Sequence, residues 1–420
     1  MERTIVHMDL DSFFVSVERL LRPELIGKPV IIGGTSDRGV VASCSYEARQ
    51  FGVSSAMPMK MAHILCPDAI QVRGDMELYS RHSETVTEII AEKAPVYEKA
   101  SIDEHYIDIT GLDRFFGCLK WTHELRTSII KNTGLPISFG LSVNKTVSKI
   151  ATGEAKPNGE LEVPSLLVQP FLDPLSIKKI PGIGDKTFRL LRSMGISNIH
   201  TLSHIPRDMM EKVLGQNGLI LWNKANGIDN SSVQAYWEQK SISTERTFDK
   251  DSTDVDGMHS LLVHMTEKLA YELRQQRKLT SCITVKIRYS NFDTHTLQKR
   301  IPYTSFDHQL IPLARELFNR LYQRRMLIRL LGVRFTHLVQ GTQQLNMFED
   351  TPEMTNLYIA MDRLRNRYGR KAIQRAAGLV KVKESDETTV EATNSPPSLR
   401  SGQSKQQIPK ERLAKWWGGH

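Results

Sequence analysis

A chain of 420 residues that is 40% hydrophobic and 25% charged has room for about three domains with real cores, which excludes a fibrous or wholly disordered protein. No run reaches the roughly 18 apolar residues of a helical membrane span, and an N-terminus carrying Glu2, Arg3, Asp9 and Asp11 lacks signal-peptide form, so a cytoplasmic protein is expected. Cys44, Cys66, Cys118 and Cys282 are scattered without C-x-x-C spacing, which argues against a zinc site or a disulfide framework, and the net charge of +9 favours a polyanionic partner.

Thr4 to Phe14, T-I-V-H-M-D-L-D-S-F-F, reads as an apolar strand running into Asp9 and Asp11. Ser12 then opens a helix with Phe13, Val17, Leu20 and Leu21 on one face, so Asp9 lies at a strand end, where a scaffold holds a ligand rigidly. Strands at Pro29 to Ile32 and Val40 to Ser43 follow. The stretch S-Y-E-A-R-Q-F-G-V is a short helix that sets Tyr46 and Arg49 on one face. An arginine and a phenol hydroxyl can together grip a phosphate tail, although such pairs are commonplace on helix surfaces. With a helix over Met57 to Cys66, residues 11–74 form a subdomain inserted after the first strand.

A long helix from Asp75 to Lys93 leads to two β-prone runs, Val96 to Ala100 and His105 to Ile109, with Asp103 and Glu104 between them. Neighbours on a regular strand point to opposite faces, so both carboxylates serve one site only if the backbone turns there, and a tight hairpin is expected. Paired carboxylates repel unless a cation joins them, and hard oxygen ligands in this number suit Mg²⁺. With Asp9 as third carboxylate, two ions about 4 Å apart can activate a 3′-hydroxyl and stabilise a leaving pyrophosphate. Taken singly, these stretches would be a solvated acidic tip and a helix N-terminal acid.

A helix over Leu119 to Lys131 and a strand over Ile137 to Val143 complete the series β, insertion, α, β, β, α, β. This is an α+β sheet with its helices on one face, close to the ferredoxin-like arrangement. Asn144 caps a further helix, which Lys156-Pro157-Asn158-Gly159 breaks, leaving Lys156 free to reach a phosphate. Ile180-Pro181-Gly182-Ile183-Gly184-Asp185-Lys186 has no strand before it, which rules out a dinucleotide fold and favours helix, hairpin, helix. Gly182 and Gly184, with Lys186 beside them, let backbone amides approach a nucleic-acid phosphate. Residues 167–232 form this helical domain, and Ser231 to Thr247, with few apolar anchors, reads as a linker.

From Arg274 to Arg334 the chain carries 13 Lys and Arg against 3 Asp and Glu, a polyanion-binding surface. Ile283, Val285, Ile287 and Tyr289 alternate with Thr284, Lys286, Arg288 and Ser290, and Leu331, Val333 and Phe335 alternate with Gly332, Arg334 and Thr336. Each is a strand with one core face and one polar face. Helices at Leu261 to Gln276 and Pro312 to Arg325 complete a second α+β sheet that offers phosphate contact to a nucleic-acid backbone. Leu357, Met361, Leu364 and Tyr368 form a helical stripe expected to pack, and residues 381–420 are polar and expected to be disordered. The terminal Lys415-Trp416-Trp417 is either a partner peptide or without function.

Together, M-D-L-D-S-F-F, V-V-A-S-C-S-Y-E-A-R-Q-F-G-V, S-I-D-E-H-Y-I-D, A-K-P-N-G, I-P-G-I-G and R-L-L-G-V-R give the chain, over residues 1–378, a resemblance to the Y-family translesion DNA polymerases. The resemblance implies a palm (1–10 and 75–166) with two Mg²⁺ ions on Asp9, Asp103, Glu104 and the Leu10 carbonyl, fingers at 11–74 and a thumb at 167–232. A linker at 233–240 and a little finger at 241–341 would follow. It further implies that Tyr46, Arg49 and Lys156 bind the incoming deoxynucleoside triphosphate, that Phe14 excludes the sugar 2′-hydroxyl and that Ala42 and Ser43 roof the nascent base pair. It implies low-fidelity synthesis on primer-template DNA without proofreading, by a monomer. Gln344-Leu345-Asn346-Met347-Phe348 looks like a sliding-clamp-binding peptide within residues 342–380. His105 and Cys44 depart from the small residues common at their positions. Two rival readings are another palm-type two-metal enzyme, such as a nucleotidyl cyclase, and a non-catalytic DNA-damage scaffold.

Overall fold

The computed structural model describes residues 3–369 and 372–378, apart from 35, 37, 113–116, 237, 325 and 342–350. The expected clamp peptide (Gln344, Leu345, Met347, Phe348), the polar tail and Lys415-Trp416-Trp417 lie outside the described residues. The described residues divide into two compact units, one before residue 237 and one from Glu238 to residue 378.

The first unit begins with β1 (Ile5–Leu10), after which Ser12, at φ 42°, turns the chain into α1 (Phe13–Leu21). Three short strands follow, β2 (Val30–Gly33), β3 (Val41–Cys44) and β4 (Ile70–Val72), with α2 (Tyr46–Gln50) and α3 (Met59–Leu65) between the last two. They form their own sheet in the order β3-β2-β4, and β4, only three residues long, has too little pattern to be read from the sequence. Asp75 caps α4 (Met76–Lys93) by accepting the amides of Glu77 and Leu78. Then come β5 (Val96–Lys99), β6 (Glu104–Asp108), α5 (Cys118–Thr133), β7 (Ile137–Ser142), α6 (Lys145–Ala155) and β8 (Glu160–Glu162).

The main sheet runs β5-β6-β1-β7-β8. It carries helices on both faces, not on one as the sequence suggested. Met8 and Leu10 face Tyr79, Val86 and Ile90 of α4 and Leu125 and Ile129 of α5. On the opposite face His7 meets Thr152 of α6. The physical reason lies in β7, where Ser138, Gly140 and Ser142 alternate with Ile137, Phe139 and Leu141. That small polar face reads as solvent-facing, yet it admits a helix backbone. A Cβ on Gly140 would meet Ser148 O at 2.2 Å and Thr152 N at 2.5 Å.

Four further helices complete this unit: α7 (Val168–Leu172), α8 (Asp185–Ser193), α9 (Ile199–Ser203) and α10 (Arg207–Ala225). Their core is continuous with Val147, Ile150 and Ala151 of α6. The chain beyond them is not a linker from Ser231, as few apolar anchors had suggested. Val233 packs with Ile5 and Tyr106, and the Gln234 amide donates to buried Glu98 at 2.9 Å. Arg3 also donates to the Ser231 carbonyl, which ties the start of this segment to the N-terminal strand.

In the second unit β9 (Ser241–Ser252), α11 (Val255–Gln275), β10 (Lys278–Tyr289), β11 (Thr294–Thr304), α12 (Asp307–Leu321) and β12 (Ile328–Gln340) form an antiparallel sheet, β11-β10-β12-β9, under two helices. β9 takes in residues 241–247 of the supposed linker, because its polar alternation leaves only Ile242 and Phe248 pointing inward. The core face holds Ile283, Val285, Ile287, Leu331, Val333 and Phe335 as expected. α13 (Thr351–Tyr368) overturns the packing stripe: Leu357, Leu364 and Tyr368 are exposed, while Tyr358, Asp362 and Arg365 are buried. Ion pairs and one buried aromatic stack, Tyr358 on Phe306 at 5.0 Å, dock this helix. Arg274 donates to Asp307 and Asp362 at 2.7 Å each, and Arg365 approaches Glu267 at 3.5 Å. Among the described residues, no helix is long and apolar enough to cross a membrane.

Candidate active site

The register of β1 against β6 puts Asp9 directly opposite Glu104. Between β5 and β6 the chain turns as the adjacent carboxylates required. Ser101 Oγ accepts the amides of Asp103 and Glu104 and donates to Asp103 Oδ1 at 2.5 Å, while the Leu10 amide donates to the Asp103 carbonyl at 3.1 Å. Two ammonium groups face this acidic cluster. Lys156 Nζ lies 2.5 Å from Asp9 Oδ1 and 3.5 Å from the Leu10 carbonyl, and Lys149 Nζ lies 2.5 Å from Glu104 Oε2. Lys149 was not singled out from the sequence. Its only signal was a position seven residues, two helical turns, before Lys156.

Burial pushes the Asp9 carboxyl up to about 6, with Lys156 opposing and Glu104 and Asp103 adding to the rise. Glu104 is held down at about 2 by the His7 ring and by Lys149. At 3.7 Å, His7 Nε2 is too far from Glu104 for a good hydrogen bond, so the lysine contact is the stronger of the two. Burial keeps His7 itself at about 4, hence neutral at pH 7. His105 points to the opposite face. Its Nε2 pairs with Thr87 Oγ1 at 3.0 Å, so this departure from the family pattern leaves the carboxylates untouched. Cys44 is likewise buried, its thiol donating to the Val53 carbonyl at 3.6 Å.

Asp11 is the hub of the neighbouring loop. Only 2% exposed, it accepts Ser138 Oγ at 2.8 and 3.1 Å, the Asn158 amide at 2.8 Å and the Tyr46 hydroxyl at 3.3 Å. Arg126 grips the same loop through the Asn158 carbonyl at 2.9 Å and Asn158 Oδ1 at 2.6 Å. A Cβ on Gly159 would fall 1.9 Å from the Ala155 carbonyl, so glycine is required there. Lys156 is thus presented by a loop whose backbone is fixed on three sides.

A cavity of about 150 Å³ brings together Asp9, Leu10, Phe14, Ala42, Ser43, Arg49, Asp103 and Lys156. Phe14 stacks on Tyr79 at 4.3 Å, and the Arg49 guanidinium lies 4.6 Å above the Tyr46 ring. Tyr46 is outside this lining, its hydroxyl donating to Asp11 at 3.3 Å. Among the described residues, no cluster of three His, Cys, Asp or Glu side chains is arranged to hold an ion as it stands. The donor set nevertheless suits a hard cation, being carboxylates and a carbonyl whose charge is now met by two lysines.

The remaining expected residues do not line this cavity. Gly182, at φ 104°, and Gly184, which caps α8, are exposed with Lys186, and a single 3₁₀ turn, Ile177–Lys179, stands between α7 and them. In the second unit a separate concavity of about 720 Å³ is lined by Thr284, Lys286, Thr296, Gln298 and Arg334, and also by Glu238 and Glu245. Arg288 flanks it, with Nε donating to Thr294 Oγ1 at 2.8 Å. The local excess of cations is only partly a surface for polyanions: Arg274 is buried in the α13 contact, and Lys299 pairs with Glu316 at 2.8 Å.

The sheet with its carboxylate pair, the inserted subdomain and the second α+β unit find matches as a set. The model of the impB/mucB/samB family matches residues 8–153, and that of the family's C-terminal domain matches 239–347. The chain is 38% identical over 376 residues to DNA polymerase IV of Dehalococcoides mccartyi, covering 89% of this chain and 96% of that one. It is 36% identical over 334 residues to DNA polymerase IV of Treponema denticola, covering 79% and 85%. A Y-family DNA polymerase chimera of Dbh and Dpo4 superposes with a TM-score of 0.73 at 26% identity, over 80% of this chain and 100% of the other. An insertion ternary complex of Dbh DNA polymerase gives 0.58 at 26% identity over the same shares. The chain belongs to the Y family of translesion DNA polymerases and is a DNA-directed DNA polymerase. Within that family, the relatives it matches at 33–38% identity include DNA polymerases IV from several bacteria. The cyclase and scaffold readings fall with this assignment.

Proposed function

We propose that the chain extends primers past damaged template bases by two-metal nucleotidyl transfer at Asp9, Asp103, Glu104 and the Leu10 carbonyl. The observation that supports this best is the pairing of Asp9 with Glu104 across β1 and β6, each already facing an ammonium group. Two Mg²⁺ ions held there would supply activation of the primer 3′-hydroxyl and neutralisation of the leaving pyrophosphate.

The chain's own residues then have separate tasks. Asp11 and Arg126 hold the loop from which Lys156 reaches the triphosphate, and Arg49 and Tyr46 meet the same phosphates from the inserted subdomain. Phe14, fixed by its stack on Tyr79, bars a 2′-hydroxyl. Ala42 and Ser43 are small enough to leave room above the template base for a lesion, at the expense of selection by shape. In this reading residues 1–10 and 75–166 are the palm, 11–74 the fingers, 167–232 a helix-hairpin-helix thumb and 241–341 the little finger. Gly182, Gly184 and Lys186 grip duplex phosphates from the thumb, and Lys286, Arg288 and Arg334 do so from the little finger. Gln344, Leu345, Met347 and Phe348 tether the enzyme to a sliding clamp, and it acts as a monomer in the cytoplasm.

Primer extension in Mg²⁺ on a template carrying one bulky base adduct tests the proposal. Products longer than the lesion position, with no shortening of the primer, are expected. Arrest at the lesion, or exonucleolytic loss of the primer end, would contradict it.

A further inference from the structure

On the open face of the second unit's sheet, one row runs Thr296, Lys286, Gly332, Glu245 across β11, β10, β12 and β9. Two strand spacings, about 10 Å of backbone, separate Lys286 from Glu245. Yet Lys286 Nζ lies 2.9 Å from Oε1 and 3.0 Å from Oε2 of that glutamate. Gly332 makes the contact possible. A Cβ there would meet Glu245 Cγ at 2.8 Å, so the missing side chain is the gap across which the acid lies. Lys286 therefore lines the phosphate-binding concavity with its charge already met by a carboxylate of the same surface.

We propose that Glu245 gates this phosphate site: it holds Lys286 in the DNA-free protein, and a backbone phosphate must displace it to bind. This rests on the reading of the sheet as a DNA-binding face. A carboxylate inside the groove both occupies a cation and repels the incoming anion, so it lowers affinity for every sequence alike. An exposed pair of this kind is worth a factor of about two to five, small enough for DNA to break and large enough to weaken the grip. The consequence is an enzyme that releases primer-template readily.

The test is fluorescence anisotropy of the full chain on one primer-template duplex across a potassium chloride series, without nucleotide. The proteins compared are wild type, Glu245→Gln, Lys286→Gln, the double variant, and Glu238→Gln as a control for loss of one negative charge on the same surface. Glu245→Gln is expected to bind about two- to fivefold tighter than wild type, beyond the gain of Glu238→Gln. Its log-log salt slope should steepen by up to about 0.9, one further phosphate contact. In the Lys286→Gln background the same change should add no more than the control does. Equal gains in both backgrounds would mean plain charge removal and would overturn the gate, as would weaker binding by Glu245→Gln. If Lys286→Gln weakens binding while Glu245→Gln changes nothing, the gate is wrong and the DNA-binding sheet stands. If Lys286→Gln binds like wild type, both are wrong.

Discussion

Asp11 shows how much of the site depends on a residue that touches neither the primer nor the acidic pair. Its carboxylate joins Tyr46 of the inserted subdomain to the Asn158 amide beside Lys156, so it aligns two of the three groups proposed for the triphosphate. Removing it takes the acceptor from the part-buried Asn158 amide and Tyr46 hydroxyl, and hydrogen bonds to charged groups are worth about 1.5–3 kcal/mol. Asp11→Ala should raise the KM for nucleotide by about tenfold or more while primer-template affinity stays level, and Asp11→Asn should recover part of the loss. Steady-state insertion kinetics decide it, and an unchanged KM in the alanine variant would remove Asp11 from this role. His105 gives a different kind of test. Burial holds it at about 3, against 6.5 for the free side chain, so below 6.5 the unfolded chain binds the extra proton and stability falls with pH toward 3. The slope attains at most about 1.4 kcal/mol per pH unit. Urea unfolding of wild type and His105→Gln at pH 7 and pH 5 should show wild type losing more stability than the variant, by about 1–2 kcal/mol. An equal loss in both would mean that His105 is not the titrating group. At this scale Asp9, Asp103 and Glu104 were legible because neighbouring acids in a hairpin need a reason. Lys149 was not, because a lysine on a helix is the commonest surface residue.

The elements divide in the same way. Strands with one clean apolar face, such as β10, were readable to within a few residues, whereas β9 and β11, at the sheet edges, carry too few inward apolar residues to show. α13 was legible as a helix but not in its packing, since periodicity finds Leu357 and Leu364 and the buried side is Tyr358, Asp362 and Arg365. The central ionic anchor is Arg274, whose guanidinium meets Asp307 and Asp362 and lies 4.7 Å from the Tyr358 ring. Arg274→Met leaves Asp307, fully buried, with Arg375 at 4.0 Å as its nearest cation. Breaking one side of a buried ion pair costs about 3–5 kcal/mol. Denaturant unfolding of the full chain should therefore show the second unit melting earlier by about that amount, with the first unit unmoved. A loss under about 1 kcal/mol would show that α13 is docked by other contacts.

For the whole molecule, the order of motifs along the chain carried more than any one of them. The acidic hairpin, the apolar strand before Asp9 and the basic sheet are each weak alone, and together they specify a polymerase. The two-sided covering of the central sheet was hidden, because Ser138, Gly140 and Ser142 look solvent-facing until α6 is laid on them. All of this converges on the claim that Asp9, Asp103 and Glu104 form one cation-binding catalytic cluster, with DNA held elsewhere. The most direct measurement is single-turnover nucleotide insertion in Mg²⁺ by Asp103→Asn and Glu104→Gln, with primer-template affinity measured on the same proteins. Insertion should fall by on the order of a hundredfold or more in each variant, with DNA affinity within about twofold of wild type. Near-normal insertion by either variant, or a loss of activity matched by a loss of DNA binding, would contradict the account.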